Sequence, residues 1–394
     1  ARPVGSRPVR GDAMNDDVLN HPAGPVPPAL PPVPPPVPHW AAPPPEPTRH
    51  RVEFTGRAGE FFGIWFVNLV LSVLTLGIYS AWAKVRTERY FYGNTRIDGT
   101  PFEYLALPMQ ILKGRLIAYA VVVAMGISAH FGFLVVYFPL VFAVLLLLPW
   151  LLQRALRFRA RYSAWRGMRF RFVNGVDDAY LNFMFRPLLM IPTMYMLLPW
   201  VRKHQQEYIV TGHRFGGLRF GFQGELGPYY IPFAICLGAG FAAYFVMLLA
   251  VFGGTWLLEG SRSGGESAPN EMMLAVFLPV AVVYLALLVL PVFLRTRYTN
   301  LMWGNTRLGP HRFACTLRAR DIIWIYLSNG VAILCTLGLA VPWAMVRLAK
   351  YRAAHFELLA LGDLDEFVAE AERAEGAASA ELVDALDLDV GIGL

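Results

Sequence analysis

Charge is scarce in this chain. Only 16% of its 394 residues are charged, 56% are hydrophobic, and the mean hydropathy is +0.43. Soluble domains carry about 25% charged residues. Together with apolar runs longer than about 18 residues, the deficit excludes an ordinary soluble domain and predicts a multi-pass membrane protein.

Cysteines and catalytic motifs are also few. The three cysteines stand at no metal-binding or redox spacing, which argues against a disulfide framework. The sequence has no nucleotide-binding glycine loop, nucleophile elbow or pair of catalytic carboxylates, and no acidic residue lies inside an apolar segment. We therefore expect no enzymatic activity, no cofactor, no bound metal and no carboxylate proton relay.

One stretch of 37 residues occurs twice, in register and without a gap. Residues 54–90 and 315–351 are related by an offset of 261 and share 14 identities, including Thr-Leu-Gly and Trp-Ala. A weaker third copy covers residues 172–208. The repeated element is mostly apolar with polar positions at fixed places. The predicted fold is therefore a membrane domain, mainly α-helical and multi-pass, with internal repeats.

Seven apolar segments follow one another along the chain. They are residues 61–83, 110–129, 131–152, 179–201, 229–253, 272–294 and 322–346. Basic residues cluster at both ends of 61–83, 179–201 and 322–346, whereas a simple span carries them mainly at its cytoplasmic end. Two topologies fit this pattern. Either these three segments are re-entrant, or all seven segments cross the membrane once.

We favour the re-entrant topology, because it gathers every basic cluster on the inner side of the membrane. A re-entrant segment needs a turn at depth, and each of the three contains residues that interrupt helices. The predicted breaks are Asn68, Arg186-Pro187 with Pro192, and Ser328-Asn329-Gly330.

Four short β-hairpins are predicted on the cytoplasmic face. Each follows an apolar segment and has β-forming residues around a Gly or Asn corner, with an Arg and a closing Phe. They lie in residues 90–102, 162–172, 208–220 and 298–313. The corner motif Gly93-Asn94-Thr95-Arg96 recurs as Gly304-Asn305-Thr306-Arg307. Because one hairpin alone is marginal in water, four on one face could share a sheet.

The two ends of the chain differ from this membrane domain, which covers residues 51–356. Residues 1–50 carry 14 prolines between Pro22 and Pro47 and predict a disordered tether, in which Met14 is a candidate native start. Residues 357–394 are acidic, with Leu, Val and Phe at helical spacing. They predict either an amphipathic cytoplasmic segment lying on the basic hairpins or a solvated tail.

Partners follow from these patterns. The net charge of +7 does not predict nucleic-acid binding, because the basic residues flank apolar segments and meet lipid headgroups of the bilayer. A protein partner could dock on the proline-rich leader or on the acidic tail.

Three polar side chains at equivalent depths are candidates for a polar cavity. Asn68 and Asn329 occupy the same position in two repeats, and Arg186 stands there in the third. Unpaired amides and charges are costly in hydrocarbon, so each side chain either bonds to a neighbouring helix or lines a polar path. Arg186 is the candidate for binding an anionic group.

An acidic residue opens each of the three related segments, and a basic residue follows its end. The candidate ion pairs are Glu60 with Arg86, Asp178 with Arg202, and Asp321 with Arg347. A carboxylate in the first turn is also favoured by the helix dipole alone. The pairs can form only if both ends of a segment lie on the same side of the membrane.

The first repeat and its hairpin read FTGRAGEFFGIWFVNLVLSVLTLGIYSAWAKVRTERYFYGNTRIDGTPF. With WGNTRLGPHRF and the terminal DLDVGIGL, this stretch resembles the YjgN family of bacterial inner-membrane proteins. The resemblance covers about residues 52–394. It implies multi-pass insertion in the inner membrane and brings no assigned catalytic residues. The middle repeat departs most, with Arg186 for Asn and Thr211-Gly212-His213-Arg214 for Gly-Asn-Thr-Arg.

Two functions from different classes are the leading candidates, ahead of lipid handling. Internal repeats around a midplane polar site are common in transporters, so the first is permease- or channel-like transport of a small solute. The second is a non-transporting membrane scaffold that docks partners through the cytoplasmic hairpins and the two tails.

Overall fold

A computed structural model of the chain describes residues 47–261 and 269–391. Most of the predicted proline-rich tether lies outside these residues. In the described ranges, ten short strands form one closed antiparallel barrel, in the order β1-β10-β9-β8-β7-β6-β5-β4-β3-β2. The strands are β1 Thr48–Phe54, β2 Thr95–Ile97, β3 Thr100–Tyr104, β4 Ser163–Trp165, β5 Met168–Phe172, β6 His213–Phe215, β7 Leu218–Phe222, β8 Thr306–Leu308, β9 His311–Cys315 and β10 Phe356–Ala360.

Helices are inserted between the strands in pairs. They are α1 Ala58–Leu74, α2 Ser80–Asn94, α3 Pro108–His130, α4 Leu134–Arg161, α5 Val176–Tyr180, α6 Arg186–Leu188, α7 Leu198–Gly212, α8 Gly227–Ser261, α9 Pro269–Gly304, α10 Ala319–Cys335, α11 Val341–Ala354 and α12 Leu364–Gly391. A π-helical turn, Leu181–Phe185, joins α5 to α6. Helix α12 alone follows the last strand.

The barrel is built from five units of the same plan. Each unit is a strand, a helical hairpin and a second strand that pairs with the first, as β1 pairs with β2 and β9 with β10. In every unit, one backbone hydrogen bond of 2.8–3.0 Å joins the two ends of the helical hairpin. The five bonds run from the N–H of Thr55, Leu105, Val173, Gln223 and Thr316 to the carbonyl of Asn94, Tyr162, Gly212, Asn305 and His355.

The three sequence repeats are the helical hairpins of units 1, 3 and 5. Since the two ends of each hairpin are hydrogen-bonded to each other, they meet at the same end of the barrel. This arrangement agrees with the re-entrant topology and not with single crossings of the three segments. Units 2 and 4, whose sequences do not show the repeat, follow the same plan with longer helices.

Four helices are long and apolar enough to cross a bilayer. They are Pro108–His130, Leu134–Arg161, Gly227–Gly253 and Pro279–Gly304, all in units 2 and 4. A span needs about 20 residues at 1.5 Å per residue. Helices α1 and α10 have 17 residues each. The short hairpins therefore extend about 25 Å from the barrel, less than a full crossing.

The turns of the short hairpins lie elsewhere than predicted. The chain reverses after Thr75 and after Thr336, where Leu76-Gly77 and Leu337-Gly338 have positive φ. Glycine adopts this left-handed backbone without steric cost, which is why Thr-Leu-Gly is kept in both copies. The breaks predicted at Asn68 and at Ser328-Asn329-Gly330 are wrong, because these residues lie inside α1 and α10.

The middle hairpin turns differently. Arg186-Pro187 lies in the short helix α6 and does not form the turn, so this predicted break is wrong. The turn begins after Leu188. Backbone hydrogen bonds of the turn type continue to Leu198, and Met194 and Tyr195 have positive φ. The predicted Pro192 does fall within this longer turn.

Apolar side chains fill the barrel and also cover the hairpin tips. Inside the barrel, Val52, Ile97, Trp165, Phe215 and Leu358 are buried. At the tips the pattern is inverted, with Leu76 95% and Leu337 94% exposed. Apolar side chains with this degree of exposure are expected where lipid surrounds the hairpin tips.

Two predicted domain boundaries are corrected by the barrel. Residues 48–50 belong to β1, so they are not part of a disordered tether. Residues 357–360 belong to β10, which pairs with β1 and closes the barrel. The acidic segment therefore begins after Ala360.

Candidate functional site

The predicted polar residues Asn68 and Asn329 are each used within their own helical hairpin. The Asn68 amide donates to the Ala83 carbonyl and the Asn329 amide to the Ala344 carbonyl, both at 3.4 Å. The Asn329 Oδ1 also accepts a hydrogen bond of 3.0 Å from Arg347. These bonds hold the two antiparallel helices of each hairpin together, as interhelical amides do in membranes.

Arg186 lies apart from both asparagines. Its guanidinium donates to Asn182 Oδ1 and stands 5.3 Å over the ring of Trp200. It lines an open polar cleft of about 370 Å³ between the two arms of the middle hairpin. Neither Asn68 nor Asn329 lies along this cleft, so the three residues do not form the single cavity that the sequence predicted.

The predicted ion pairs are replaced by other contacts. Glu60 and Asp321 accept hydrogen bonds from the hydroxyls of Tyr90 and Tyr351, at 3.5 and 3.2 Å. The hydrogen bond from Asn68 to Ala83 fixes the register of the two antiparallel helices. In this register each acid lies beside its tyrosine, and the arginine predicted as its partner lies about one helical turn away. The arginines have other acceptors: Arg86 donates to Tyr79, Arg347 to Ser328 and Asn329, and Arg202 to Gln205. Asp178 lines the Arg186 cleft with Arg202 outside it.

The repeated Gly-Asn-Thr-Arg motif is a helix-to-strand junction, not a hairpin corner. Gly93-Asn94 ends α2 and Thr95-Arg96 begins β2. Gly304 likewise ends α9, Asn305 follows it, and Thr306-Arg307 begins β8. Asn94 and Asn305 supply the carbonyls of two of the five hairpin-closing bonds. The true corners are Asp98-Gly99, Arg166-Gly167, Gly216-Gly217 and Gly309-Pro310.

A small apolar chamber lies inside the barrel. Its volume is about 160 Å³, and its lining includes Trp165, Phe215, Trp303 and Phe313. His311 is the one imidazole in this lining, and it is 2% exposed. His311 could not be predicted as a site residue, because a lone histidine on a strand carries no signal of burial.

Helix α12 closes one end of the chamber, and we call its residues 364–375 the lid. Leu364 and Phe367 are buried against the barrel, and the Phe367 ring stacks on Phe215 at 6.0 Å. Two carboxylates bind the barrel rim, Asp365 to Arg166 and Glu375 to Arg171. The acidic tail therefore lies on the basic hairpins, one of the two alternatives that the sequence left open.

The lid lies unusually close to the Gly216-Gly217 corner. The Gly217 N–H donates to the Ala371 carbonyl at 3.0 Å, and a Cβ on Gly217 would lie 2.5 Å from the Ala374 carbonyl carbon. Only a residue without a Cβ permits this approach, because backbone atoms of the lid cannot yield at that distance.

Replacing Gly217 with alanine is therefore expected to displace the lid. Hydrogen exchange of residues 364–375 should accelerate at least tenfold, while exchange in the membrane helices should not change. Gly221→Ala in β7 is the matched control, since a Cβ there meets nothing within 4 Å. If both variants exchange like the wild type, the lid does not depend on this contact.

Six arginines cover the outer surface of strands β5 to β9, and we call them the arginine wall. They are Arg169, Arg171, Arg214, Arg219, Arg307 and Arg312. Flanking residues such as Phe215, Leu308 and Phe313 are buried, so the alternation along each strand turns the arginines outward.

Like charges face each other across this wall. Arg214 is directly opposite both Arg171 and Arg219, and Arg307 is opposite Arg312. Such pairs destabilise a sheet. Burial is the main cause that lowers the pKa of the Arg214 guanidinium, and the positive charges of Arg219 and Arg171 lower it further. Among the described residues, one ion pair reaches the wall, between Arg171 and Glu375.

The opposite side of the barrel is balanced. There Glu357 pairs with Arg49 and Arg51, and Glu53 stands opposite Arg96. The positive charge is thus confined to one sector of the barrel. The sequence carried a signal for it, because Arg alternates with aromatic or aliphatic residues in MRFRF, HRF, LRF and TRL.

Comparison with known proteins places the chain in a bacterial family. Residues 49–385 match the family described as "Bacterial protein of unknown function (DUF898)". Inner membrane protein YjgN of Salmonella typhimurium is 25% identical over 370 residues, covering 80% of this chain and 89% of the relative. Inner membrane proteins YjgN of Escherichia coli O157:H7 and K12 are 28% and 29% identical over 141 and 143 residues. Those two alignments cover 36% of this chain and 35% of each relative.

No solved structure matches the chain. The family match covers most of the chain, and the relatives are inner-membrane proteins. The four candidate membrane spans agree with that location. The chain is thus a bacterial inner-membrane protein and belongs to the DUF898 family, whose relatives here carry the name YjgN.

Proposed function

We propose that this protein is a membrane scaffold whose barrel docks an acidic helical segment of a partner protein on the arginine wall. The observation that carries the proposal is the wall itself. Six arginines on adjacent strands, with like charges directly opposite, are retained at a cost to the sheet. An anionic partner would relieve the repulsion between these arginines when it binds. Arg binds carboxylates with two parallel hydrogen bonds.

The lid supports an acidic helix as the partner. It is itself an acidic helix on a basic barrel, and Glu375 already reaches the edge of the wall at Arg171. Within the described ranges, the other five arginines of the wall have no ion pair. The chain therefore contains an intramolecular example of the contact that we propose for the partner.

For three of the six arginines, distance from the bilayer argues against lipid headgroups as the occupant. Arg169, Arg219 and Arg312 each stand second in their strand after a corner, at the barrel end away from the helices. Three further residues at about 3.3 Å each separate them from the helical end of the strand. We place this barrel on the cytoplasmic side, because basic residues flank every apolar segment there.

The proposal can be tested with a defined acidic probe. Protein in nanodiscs of uncharged lipid is titrated with fluorescein-labelled polyglutamate of about 30 residues. We expect binding that weakens steeply with added salt, because exposed charges are screened within about 10 Å at 0.1 M. Changing Arg169, Arg214, Arg219 and Arg312 to Gln should weaken it at least tenfold.

The matched control removes the same charge elsewhere. Arg49, Arg51, Arg318 and Arg320 are exposed and lie outside the wall. Their replacement by Gln should leave polyglutamate binding within about twofold of wild type. Equal losses in both variants would mean that only bulk charge matters. Tighter binding of a short DNA duplex than of polyglutamate would also overturn the proposal.

Transport of a small solute is the second candidate, and Arg186 favours it. This charged side chain lies in an otherwise apolar segment, beside a π-helical turn, and opens onto the 370 Å³ cleft. Intramembrane charges and π-helical turns are frequent at functional sites. The helical hairpins also contact one another around a closed ring, with α11 against α1.

The two candidates separate in proteoliposomes. If the protein transports anions, chloride or phosphate uptake should exceed that of protein-free liposomes and fall to their level in Arg186→Leu. If it is a scaffold, wild type and Arg186→Leu should both match protein-free liposomes, and polyglutamate binding should be retained.

A further inference from the structure

An open groove lies at the side of the barrel, between the end of α4 and strand β5, with the lid along one edge. Its volume is about 730 Å³, and small-molecule sites occupy about 300–1,000 Å³. Five arginines line it, namely Arg157, Arg161, Arg166, Arg169 and Arg171. The groove therefore combines the size of a ligand site with a concentration of positive charge.

Two of these five arginines already have acidic partners. Arg166 donates to Asp98 at 2.8 Å and also pairs with Asp365 of the lid, and Arg171 pairs with Glu375. In the described part of the chain, the other three form no ion pair and donate no side-chain hydrogen bond. Their guanidinium groups are therefore available to a ligand.

Local structure does not account for this unpaired group of arginines. Arg157 and Arg161 are four residues apart, so they lie on the same face of α4. The helix dipole favours a basic residue in the last turn, which explains Arg161 alone. Arg157 lies one turn earlier, and Arg169 projects from a strand. The common feature of the three is that they line the same groove.

The charge of the groove indicates which anion it suits. One lid carboxylate, Glu372, also lines it and has no ion pair among the described residues. Three unpaired arginines facing one unpaired carboxylate leave two positive charges. A phosphate monoester carries about −1.5 to −2 near pH 7, and its three oxygens can accept from several guanidinium groups. A carboxylate has a single charge and two oxygens, so it would satisfy the groove only in part.

The same groove has apolar surface for the rest of a ligand. Phe170, Val173 and Val368 belong to its lining. Val173 is exposed, and the other two are half-buried. Covering these side chains would add affinity for an organic body attached to the phosphate.

We propose that this groove binds a phosphate monoester, whose oxygens accept hydrogen bonds from Arg157, Arg161 and Arg169. Arg157 lies about 7.5 Å along α4 from Leu152, where the predicted apolar segment ends. A soluble ester and a lipid headgroup can therefore both supply the phosphate. The site shares Arg169 and Arg171 with the arginine wall, but it goes beyond the docking of an acidic segment and does not depend on it.

Phenyl phosphate and methyl phenyl phosphate are matched probes, because they share the aromatic body and differ by one negative charge. Protein is reconstituted in nanodiscs of lipid without net charge, at about pH 8. Saturation-transfer NMR on the phenyl protons measures the affinity of each probe. We expect phenyl phosphate to bind at least fivefold more tightly than methyl phenyl phosphate.

Variants of α4 test which arginines hold the phosphate. Arg157→Gln combined with Arg161→Gln should weaken phenyl phosphate at least tenfold. Arg154→Gln combined with Arg159→Gln is the matched control, because it removes the same charge from the same helix outside the groove lining. The control should stay within about twofold of wild type.

Glu372→Gln gives an effect of opposite sign, which a folding defect would not produce. It removes the unpaired carboxylate from the groove, so phenyl phosphate should bind about threefold more tightly. Unchanged or weaker binding in this variant would contradict the charge balance on which the proposal rests.

Lipid composition separates the two sources of phosphate. Phosphatidic acid, a lipid phosphate monoester, is added to the nanodiscs and compared with phosphatidylglycerol at equal surface charge. Loss of phenyl phosphate binding with phosphatidic acid alone would assign the groove to a lipid headgroup. Binding retained with both lipids would assign it to a soluble ester.

Two results would overturn the proposal, namely equal affinity for the two probes and equal losses in the two α4 variants. Neither Arg157 nor Arg161 belongs to the wall, so their replacement should leave polyglutamate binding within about twofold of wild type. If the wild-type protein binds polyglutamate but not phenyl phosphate, the phosphate site is wrong and the scaffold proposal stands.

Discussion

Arginine in place of Leu337 is expected to destabilise the inserted protein by about 2.5–3.5 kcal/mol, the cost of a charged residue at depth in a bilayer. Leu337 is 94% exposed at the tip of the fifth hairpin, about 25 Å from the barrel along α10. Leu76 is the equivalent residue of the first hairpin. The variant with arginine at both tips should therefore lose roughly twice as much and insert poorly.

Depth supplies the control. Leu107 is 56% exposed just before α3, at the barrel end of the helices. Arginine there is expected to cost about 0–1 kcal/mol, because a charge near the interface stays hydrated. Yield in the membrane fraction and thermal stability in nanodiscs measure both variants. If Leu337→Arg behaves like Leu107→Arg, the tip lies in water and the re-entrant topology is wrong.

The charge pattern allowed the short hairpins to be predicted, but their turns were misplaced. Polar residues inside an apolar segment suggested breaks at Asn68 and Asn329. An amide in a helix can instead bond to the neighbouring helix, as Asn68 does to Ala83. The better signal was present in both copies, because Thr-Leu-Gly at 75–77 and 336–338 supplies the glycine that a left-handed backbone requires.

Closure of the barrel could not be predicted from the sequence, for a different reason. The four stretches predicted as hairpins do contain paired strands, β2 with β3 through β8 with β9. Strands β1 and β10 follow the proline-rich leader and helix α11 in the sequence and have no turn signal of their own. Only their pairing over a separation of about 300 residues closes the barrel, and long-range pairing leaves no local pattern.

The candidate sites were hidden by the same long-range effects. Arg214 is an unremarkable surface arginine until the register brings it opposite Arg171 and Arg219. His311 is one residue of an alternating strand until the barrel and the lid bury it. The residues that were predicted, Asn68, Arg186 and Asn329, lie within single hairpins, where spacing along the sequence is informative.

Replacing Phe215 with alanine should cause the largest loss of stability of any single change in the barrel. Phe215 is 1% exposed, and its ring lies 5.1 Å from Phe170, 5.9 Å from Trp165 and 6.0 Å from Phe367. Truncating a buried phenylalanine costs about 3–5 kcal/mol. Tryptophan fluorescence during thermal unfolding in nanodiscs should record a Tm lower by about 10 °C.

Phe185 supplies the matched control, since it is 57% exposed on the middle hairpin and Phe185→Ala should leave the Tm nearly unchanged. A double-mutant cycle with Phe367→Ala then divides the effect between barrel and lid. If Phe215 acts mainly by stacking on the lid, the two losses will be strongly coupled. If it acts through Phe170 and Trp165, they will add, because contacts without a shared partner are independent. A Tm unchanged in Phe215→Ala would contradict the aromatic core on which the chamber and the lid both depend.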